Sequence, residues 1–309
     1  MRNGIAAHWV KIRRRIARRL PPRSRLWLQA VRDRGRLWLQ AVRDTRRHNA
    51  SITRRNPAAS SLCFYPQRPT INYVIFRVAA NLGLRIVRSR RGEGVLTMAW
   101  YDVTFVPPSA VASLPALTLN ARCLDISKGT VDRIWCEVSG RGLSLDPLTT
   151  SGPMVVKSEE NATHDGRIIT GPIRERQPGF VYQRLVDTRV GDHFAYLRPV
   201  ILDGRIVLTY HKRQPLDDRF GSQPRTWVAE PDVFSTEERD AILDLAARIG
   251  LDYGEIDVLR DADGKIYVVD VNKTPWWNTT MSDAELKIAE QRMAAAFSDL
   301  ISKHHDADH

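Results

Sequence analysis

The sequence predicts a mixed α/β chain of the α+β kind, on three observations. Segments of helical and of strand periodicity alternate from about residue 71 to residue 303. Two capping boxes, Ser235 with Glu238 and Ser282 with Glu285, open helices late in the chain. Between them lies a strand–turn–strand pattern centred on Asp263-Gly264, the preferred dipeptide of a two-residue hairpin. At 309 residues, 43% hydrophobic and 27% charged, the chain is long enough for one large domain or two modest ones with a real core.

Charge divides the chain before structure does. Residues 1–55 hold 17 Lys and Arg against two acids, which leaves 30 basic and 33 acidic residues for 56–309. The net charge of +12 thus belongs to an extension, and specific nucleic-acid binding by the folded body is not expected. The extension, 1–55, reads as basic helix and contains a direct repeat, RLWLQAVRD at 25–33 and 36–44. An offset of eleven residues places Trp27 and Trp38 on one helical face, while Gly35 weakens the helix by about 1 kcal/mol. A basic amphipathic helix with Trp suits peripheral contact with an anionic membrane surface or a phosphate-rich partner; an unordered extension is the alternative. Arginines interrupt every apolar run before a signal peptide could form. Cys63, Cys123 and Cys136 show neither metal spacing nor a disulfide framework, so a cytoplasmic protein is expected.

A small α/β unit is expected over 56–120. Ile71, Val74, Ile75 and Val78 recur at helical spacing and Gly83 ends that helix, with strands at 84–87 and 95–105 and a break at Pro107-Pro108. The main domain, 121–303, then begins. Helical spacing marks 128–138, strands are expected to end near 155–157 and over 180–186, and 196–210 reads as a hairpin turning at Asp203-Gly204. The first capping box starts a helix that Gly250 closes; strands follow at 255–259 and 265–272, then a last helix that ends before a solvated tail, 304–309.

The chemistry concentrates in the second hairpin. A two-residue turn at Asp263-Gly264 sets 262 opposite 265 and, counting outward, Asp257 opposite Asp270; Asn272 projects from the same face as Asp270. Facing carboxylates among Ile256, Val258, Val268, Val269 and Val271 repel unless a cation sits between them, and Mg2+ is the hard, oxygen-seeking ion for that role. Two solvated acids on an exposed sheet face are the alternative.

This segment, an acidic strand followed by Asp270-Val-Asn272 and Pro275, resembles the C-terminal signature of ATP-grasp enzymes, closest to the ribosomal-protein-S6-modifying and glutathione-synthetase branch. The likeness covers about 121–303. It implies the ATP-grasp fold, two α+β subdomains clasping ATP and preceded by the short α/β unit. It also implies Asp257, Asp270 and Asn272 as ligands of Mg2+ (or Mn2+) on the ATP phosphates. Lys157, ending Pro153-Met-Val-Val, matches the strand lysine on those phosphates, and Lys128 is placed like the first ATP lysine. Gln183 and the backbone of Leu185 lie where the linker meets adenine. Arg198 and Arg213 match arginines for a substrate carboxylate or acyl phosphate, on the expectation that 198 opposes 209. The loop 158–166 stands where a phosphate-covering loop belongs but is more acidic and less glycine-rich than the family pattern; His164 in it contacts phosphate or is simply solvated. Glu255 occupies a position where the D-alanine ligase branch carries arginine, which argues against a D-alanyl dipeptide product. Trp276-Trp277 either walls a substrate pocket or packs on the last helix.

The implied activity is a ligase joining a small-molecule or peptide carboxylate to an amine or thiol through an acyl phosphate. A phosphotransferase on the same fold, or an ATP-binding module without turnover, are the alternatives.

Overall fold

A computed structural model describes residues 22–221, 224–277 and 280–307. Helix α1 (Pro22–Arg55) leads into a four-stranded parallel sheet of β1 (Ser61–Pro66), β2 (Arg85–Arg88), β3 (Leu96–Trp100) and β4 (Thr118–Leu119), ordered β2-β1-β3-β4, with α2 (Val74–Asn81) crossing it. The second half of α1 belongs to this unit and is no mere extension. Ala41, Thr45 and Ile52 form a buried stripe at helical spacing. The Asn49 side-chain amide donates to the Ile86 carbonyl (2.8 Å) and accepts from the Ile86 N–H (2.9 Å), closing the free edge of β2. Arg36, Arg43, Arg46, Arg47 and Arg54 stay exposed, as do Trp38 and Leu39. The face expected to be shared by Trp27 and Trp38 lies outside the described residues. No described helix is long and apolar enough to cross a membrane.

The strand expected over 95–105 is cut to Leu96–Trp100, because the chain turns out of the sheet before Pro107-Pro108. Next come α3 (Lys128–Ser139) and a three-stranded antiparallel sheet of β5 (Gly152–Ser158), β6 (Arg167–Gly171) and β7 (Phe180–Arg184), ordered β6-β5-β7. The largest sheet is built from β8 (Arg189–Val190), β9 (His193–Leu202), β10 (Arg205–Pro215), β11 (Arg225–Val228), β12 (Tyr253–Arg260) and β13 (Ile266–Asn272), in the order β11-β10-β9-β12-β13 with β8 on β9. Helix α4 (Thr236–Ile249) carries the expected capping box at Ser235 and ends on Gly250 at φ 75°. Helix α5 (Asp283–Ala307) extends into the expected tail as far as Ala307, since no Gly or Pro follows Lys303 to break it.

The two faces of the large sheet have different cores. Helices α3 and α4 pack on one, against Leu197, Ile201, Ile256, Val258 and Val268. The other buries Val200, Leu202, Leu208, Tyr210 and Tyr253 together with the first unit and α5. That second core crosses the boundary expected at 120/121: Trp100, Tyr253 and Phe297 share it.

Register decides what reaches the open part of that face. In the β9–β10 hairpin Asp203 and Gly204 both take positive φ (48° and 69°), as a type I′ turn requires, and pairing runs Leu202–Arg205 and Ile201–Ile206. Val207 then bulges and Leu208 pairs Val200, so Arg198 faces Tyr210 rather than residue 209. In the β12–β13 hairpin the turn is longer than the expected two residues. The Asp261 carboxylate accepts from the N–H groups of Asp263 and Lys265, and pairing starts at Arg260–Ile266. A bulge at Val269 takes the one-residue slip back, and Asp257 pairs Asp270 after all.

Asn120 fastens the hairpin to the first unit. Fully buried at φ 60°, it donates from Nδ2 to the Tyr253 carbonyl (2.7 Å) and accepts on Oδ1 from the N–H groups of Asp252 and Tyr253 (2.9 Å each); its own N–H donates to the Asp252 carboxylate. Replacing it with Ala strands three backbone groups and removes the short polar side chain that lets a non-glycine residue hold left-handed geometry. Asn120→Ala should lose about 2–4 kcal/mol in urea unfolding; a loss under about 1 kcal/mol would mean water replaces those bonds and the staple is dispensable.

Candidate nucleotide and metal site

The register places one row of side chains across four strands of the exposed sheet face. Asp270 of β13 pairs Asp257 of β12, and on the other side Arg198 of β9 pairs Tyr210 of β10. Arg198 also joins the middle of the row, binding Asp257 with Nε (2.5 Å) and Nη2 (2.8 Å) and the Glu255 carboxylate with Nη1 (3.2 Å). The next row holds Glu255 opposite Asn272. Burial pushes the Asp257 carboxyl up, but the charge and hydrogen bonds of Arg198, with Lys212 and Lys157 behind, outweigh it and hold the group below the usual carboxylate range. Asp270 has no such lock. Among the described residues its carboxylate accepts only from the Val271 N–H (3.0 Å), and burial raises it despite the fields of Lys128 and Lys157. Glu255 is likewise raised by burial, its one Arg198 contact being insufficient.

Two lysines of the first subdomain meet this row. Lys157, on the β5 face it shares with Gln183, donates to the Val269 carbonyl (3.1 Å), the residue extruded by the bulge. Burial lowers its ammonium to about 8, opposed by Asp270. Lys128, in the first turn of α3, donates to the Glu160 carbonyl (2.7 Å) and to Asn161 Oδ1 (3.1 Å). Asn161 in turn donates to the Val271 carbonyl (2.8 Å), and the Glu159 carboxylate accepts from the Gly129 N–H at the α3 N-terminus (2.9 Å). The loop 158–166 is thus folded in, with Ala162 and His164 at φ 59° and 50°, where non-glycine residues are strained. His164 is exposed.

The fit to the implied ligands rests on what this arrangement leaves unpaired. Asp270, half-buried and without an ion pair among the described residues, suits a cation, and the Lys128–Lys157 pair opposite suits a polyanion. Asn272 Oδ1 already accepts from the Thr274 N–H (3.0 Å), which leaves it one lone pair for a metal. Among the described residues no cluster of three His, Cys, Asp or Glu side chains is poised around a metal, since Asp257 and Glu255 are turned to Arg198. Gln183 is 2% exposed, yet its Nε2 has no partner. Next to it, the N–H and C=O of Leu185 make no backbone hydrogen bond among the described residues. An orphan amide donor beside free backbone groups is the edge a purine needs.

Arg213 is not brought to the site. The Val207 bulge turns it to the opposite face, where it is exposed and stacks on Trp227 (4.8 Å). Lys212 takes the inward position, paired with Tyr196 and 6% exposed. Sequence reasoning missed Lys212, and it missed Asn161 and the role of Glu255. A bulge in an alternating strand leaves no composition signal, so neither of the adjacent cations could be preferred.

No protein-family model matches the sequence, and no curated protein matches it. Among solved structures the chain is similar to the ATP-grasp ligase PsnB complexed with minimal precursor, at TM-score 0.54 and 12% identity over 77% of this chain and 99% of that one. PsnB with a phosphomimetic variant of that precursor, Mg and ADP superposes at 0.52 and 11%, over the same shares. D-alanine–D-alanine ligase from Bacillus anthracis complexed with ATP superposes at 0.50 and 11%, over 81% of this chain and 98% of that one. Similar to these ligases over about three quarters of its length, this chain has the ATP-grasp fold.

Proposed function

We propose that the chain is an ATP- and Mg2+-dependent ligase that joins a carboxylate to an amine or thiol through an acyl phosphate. The observation that carries this reading is the meeting of Lys128 and Lys157 with the half-buried Asp270, which has no ion pair among the described residues, beside Asp257. Support also comes from the ligands of the similar structures, PsnB with Mg and ADP and D-alanine–D-alanine ligase with ATP.

Each residue then has a task. Asp257, Asp270 and Asn272 would hold Mg2+, which would supply charge neutralisation on the phosphates. Lys157 and Lys128 bind phosphate oxygens, and Lys128 exchanges its contacts to Glu160 and Asn161 to do so. Gln183 Nε2 and the Leu185 backbone orient the base. Arg198 holds Asp257 ionised, and Asp257 would exchange part of that bidentate contact to meet the metal. Lys212, not Arg213, stands on the face where negative charge develops as the carboxylate is phosphorylated. Little side-chain proton transfer is needed, which suits a site without a nucleophile–base pair.

The folded-in acidic loop favours a second reading, an ATP-binding module without turnover, because Glu159 and Asn161 already occupy the α3 N-terminus and Lys128. Calorimetry with ATP, with and without Mg2+, on the full chain tests the shared part of both readings. Asp270→Ala should weaken Mg-dependent binding by at least about tenfold, 1.4 kcal/mol. Equal binding by the variant would remove Asp270 from the metal site. ADP release with a mixture of acids and amines then separates ligase from module.

The lowered Lys157 ammonium, which faces Asp270, Lys128, Asp257 and Asp132, sets a pH limb. Above about 8 the folded lysine is losing its charge, so ATP affinity should fall with rising pH. Over the same range the unfolded chain retains a proton that the folded one has lost, so the nucleotide-free protein should gain stability as pH rises from about 8 toward the ordinary lysine value. Lys157→Met should abolish the affinity limb and raise the nucleotide-free melting temperature at pH 7. An unchanged melting temperature would show that the ammonium is solvated rather than strained.

A further inference from the structure

Basic charge is concentrated at the start of the fold. Residues 34–120 hold 13 arginines, no lysine and three acids, whereas 121–309 hold 24 basic residues and 31 acids. Among the described residues of 34–120, Arg77 is the one arginine in an ion pair, with Glu290 of α5 (3.1 Å). The rest of this charge is unbalanced within the molecule.

The helix register gathers much of it on one side of α1. Ala41, Thr45 and Ile52 face the sheet. Arg36, Arg43, Arg47 and Arg54 follow the spacing i, i+7, i+11 and i+18, so they share the opposite side and span about 27 Å along the axis. All four are exposed. Leu39 and Arg46, seven residues apart, run along the flank of this row and are exposed too. Asp44 lies off the row, its carboxylate accepting from the Ile71 N–H (3.3 Å). Arg46 links the row to a corner of the sheet unit, where burial and then the fields of Arg88 and Arg46 lower the Arg68 guanidinium. The Nε atoms of Arg68 and Arg85 are withdrawn from solvent with no hydrogen-bond partner, and Arg88 and Arg90 both approach the Tyr65 ring. Guanidinium groups in one another's field repel, a cost that an apposed layer of phosphates offsets.

The patch is not purely ionic, and that selects its partner. Trp38 and Leu39 are 61% and 59% exposed at adjacent positions of α1. A nucleic-acid backbone offers phosphates but no hydrocarbon to a leucine set among arginines. A bilayer offers both, and Trp is favoured at the boundary between headgroups and acyl chains. We propose that α1 and the Arg68–Arg88 corner form a docking surface for an anionic lipid bilayer, with Arg36, Arg43, Arg46, Arg47 and Arg54 on headgroup phosphates and Leu39 and Trp38 at the acyl boundary. The acidic remainder, 121–309, is repelled by the same bilayer, so docking is one-sided. Such binding needs neither nucleotide nor turnover and is independent of the ligase reading.

Co-sedimentation of the full chain with vesicles tests this. Phosphatidylcholine vesicles with about 30% phosphatidylserine should carry the protein down, pure phosphatidylcholine vesicles should not, and about 0.5 M salt should release it. The variant with Arg36→Gln, Arg43→Gln, Arg47→Gln and Arg54→Gln should partition at least about tenfold less. Trp38→Ala with Leu39→Ala should also weaken partitioning. All six positions are exposed, so an unchanged melting temperature is expected. Arg205→Gln with Arg225→Gln, which removes two exposed arginines outside the patch, should partition like the wild type. Equal partitioning by the four-arginine variant, or no partitioning by the wild-type chain, overturns the proposal. So does partitioning that is unchanged by the Trp38 and Leu39 substitutions and fully competed by a short single-stranded RNA, which would make the patch a site for polyanions in general.

Discussion

The site depends on a shortage of cations. Across the cleft face, Asp270, Asp257 and Glu255 are all withdrawn from water, and within hydrogen-bonding reach of them there is one guanidinium, that of Arg198. A planar fork can satisfy Asp257 bidentately and still touch Glu255, but it cannot reach Asp270 across the strand. One carboxylate is therefore kept ionised and aimed, another is left raised by burial and ready for a cation. The remaining positive groups, Lys128 and Lys212, buried, and Lys157, half-buried, are held short of carboxylates. On the proposed reading that suits them to a ligand, since a buried ammonium gains more from an arriving anion than a solvated one does.

How much of this was legible in the sequence depends on how local the determining physics is. The facing of Asp257 and Asp270 was read correctly through two misreadings that cancel. The Asp261 side chain lengthens the turn by capping two N–H groups, and the Val269 bulge then returns the register. In the β9–β10 hairpin the turn is as expected and only the bulge at Val207 intervenes, so nothing cancels: Arg213 goes outward and Lys212 inward. Period-two alternation makes a single inserted residue invert every assignment beyond it. The capping boxes and glycine stops, set by contacts within one turn of helix, were legible to the residue at Ser235 and Gly250.

Long-range placements were not. Nothing in the charge pattern of 1–55 announces that Asn49 seals the β2 edge, because the partner, Ile86, lies 37 residues away. The same holds for Asn120, whose hydrogen bonds reach 132 and 133 residues ahead. Composition marked the arginines of α1 as an extension; the packing of Ala41, Thr45 and Ile52 makes its second half a wall of the first unit.

The loop 158–166 ties these parts together. Asn161 alone touches three of them: its N–H donates to Thr104 of the first unit (2.9 Å), its Nδ2 to Val271 of the hairpin, and its Oδ1 accepts from Lys128 of α3. With Glu159 on the Gly129 N–H, the loop supplies to Lys128 and to the helix N-terminus the same kind of oxygen acceptors that a phosphate carries. Closure of the cleft and binding of a polyanion therefore draw on one set of donors, and a nucleotide that takes Lys128 and Gly129 must release the loop's hold on the first unit and the hairpin. The positive φ at Ala162 and His164 lowers the cost of that release, because strain is relieved as the contacts break. An acidic loop that departs from the usual glycine-rich pattern is thus consistent with the donors it meets: its carboxylate and amide fill, in the absence of ligand, positions that would otherwise leave a buried ammonium and a helix terminus unpaired.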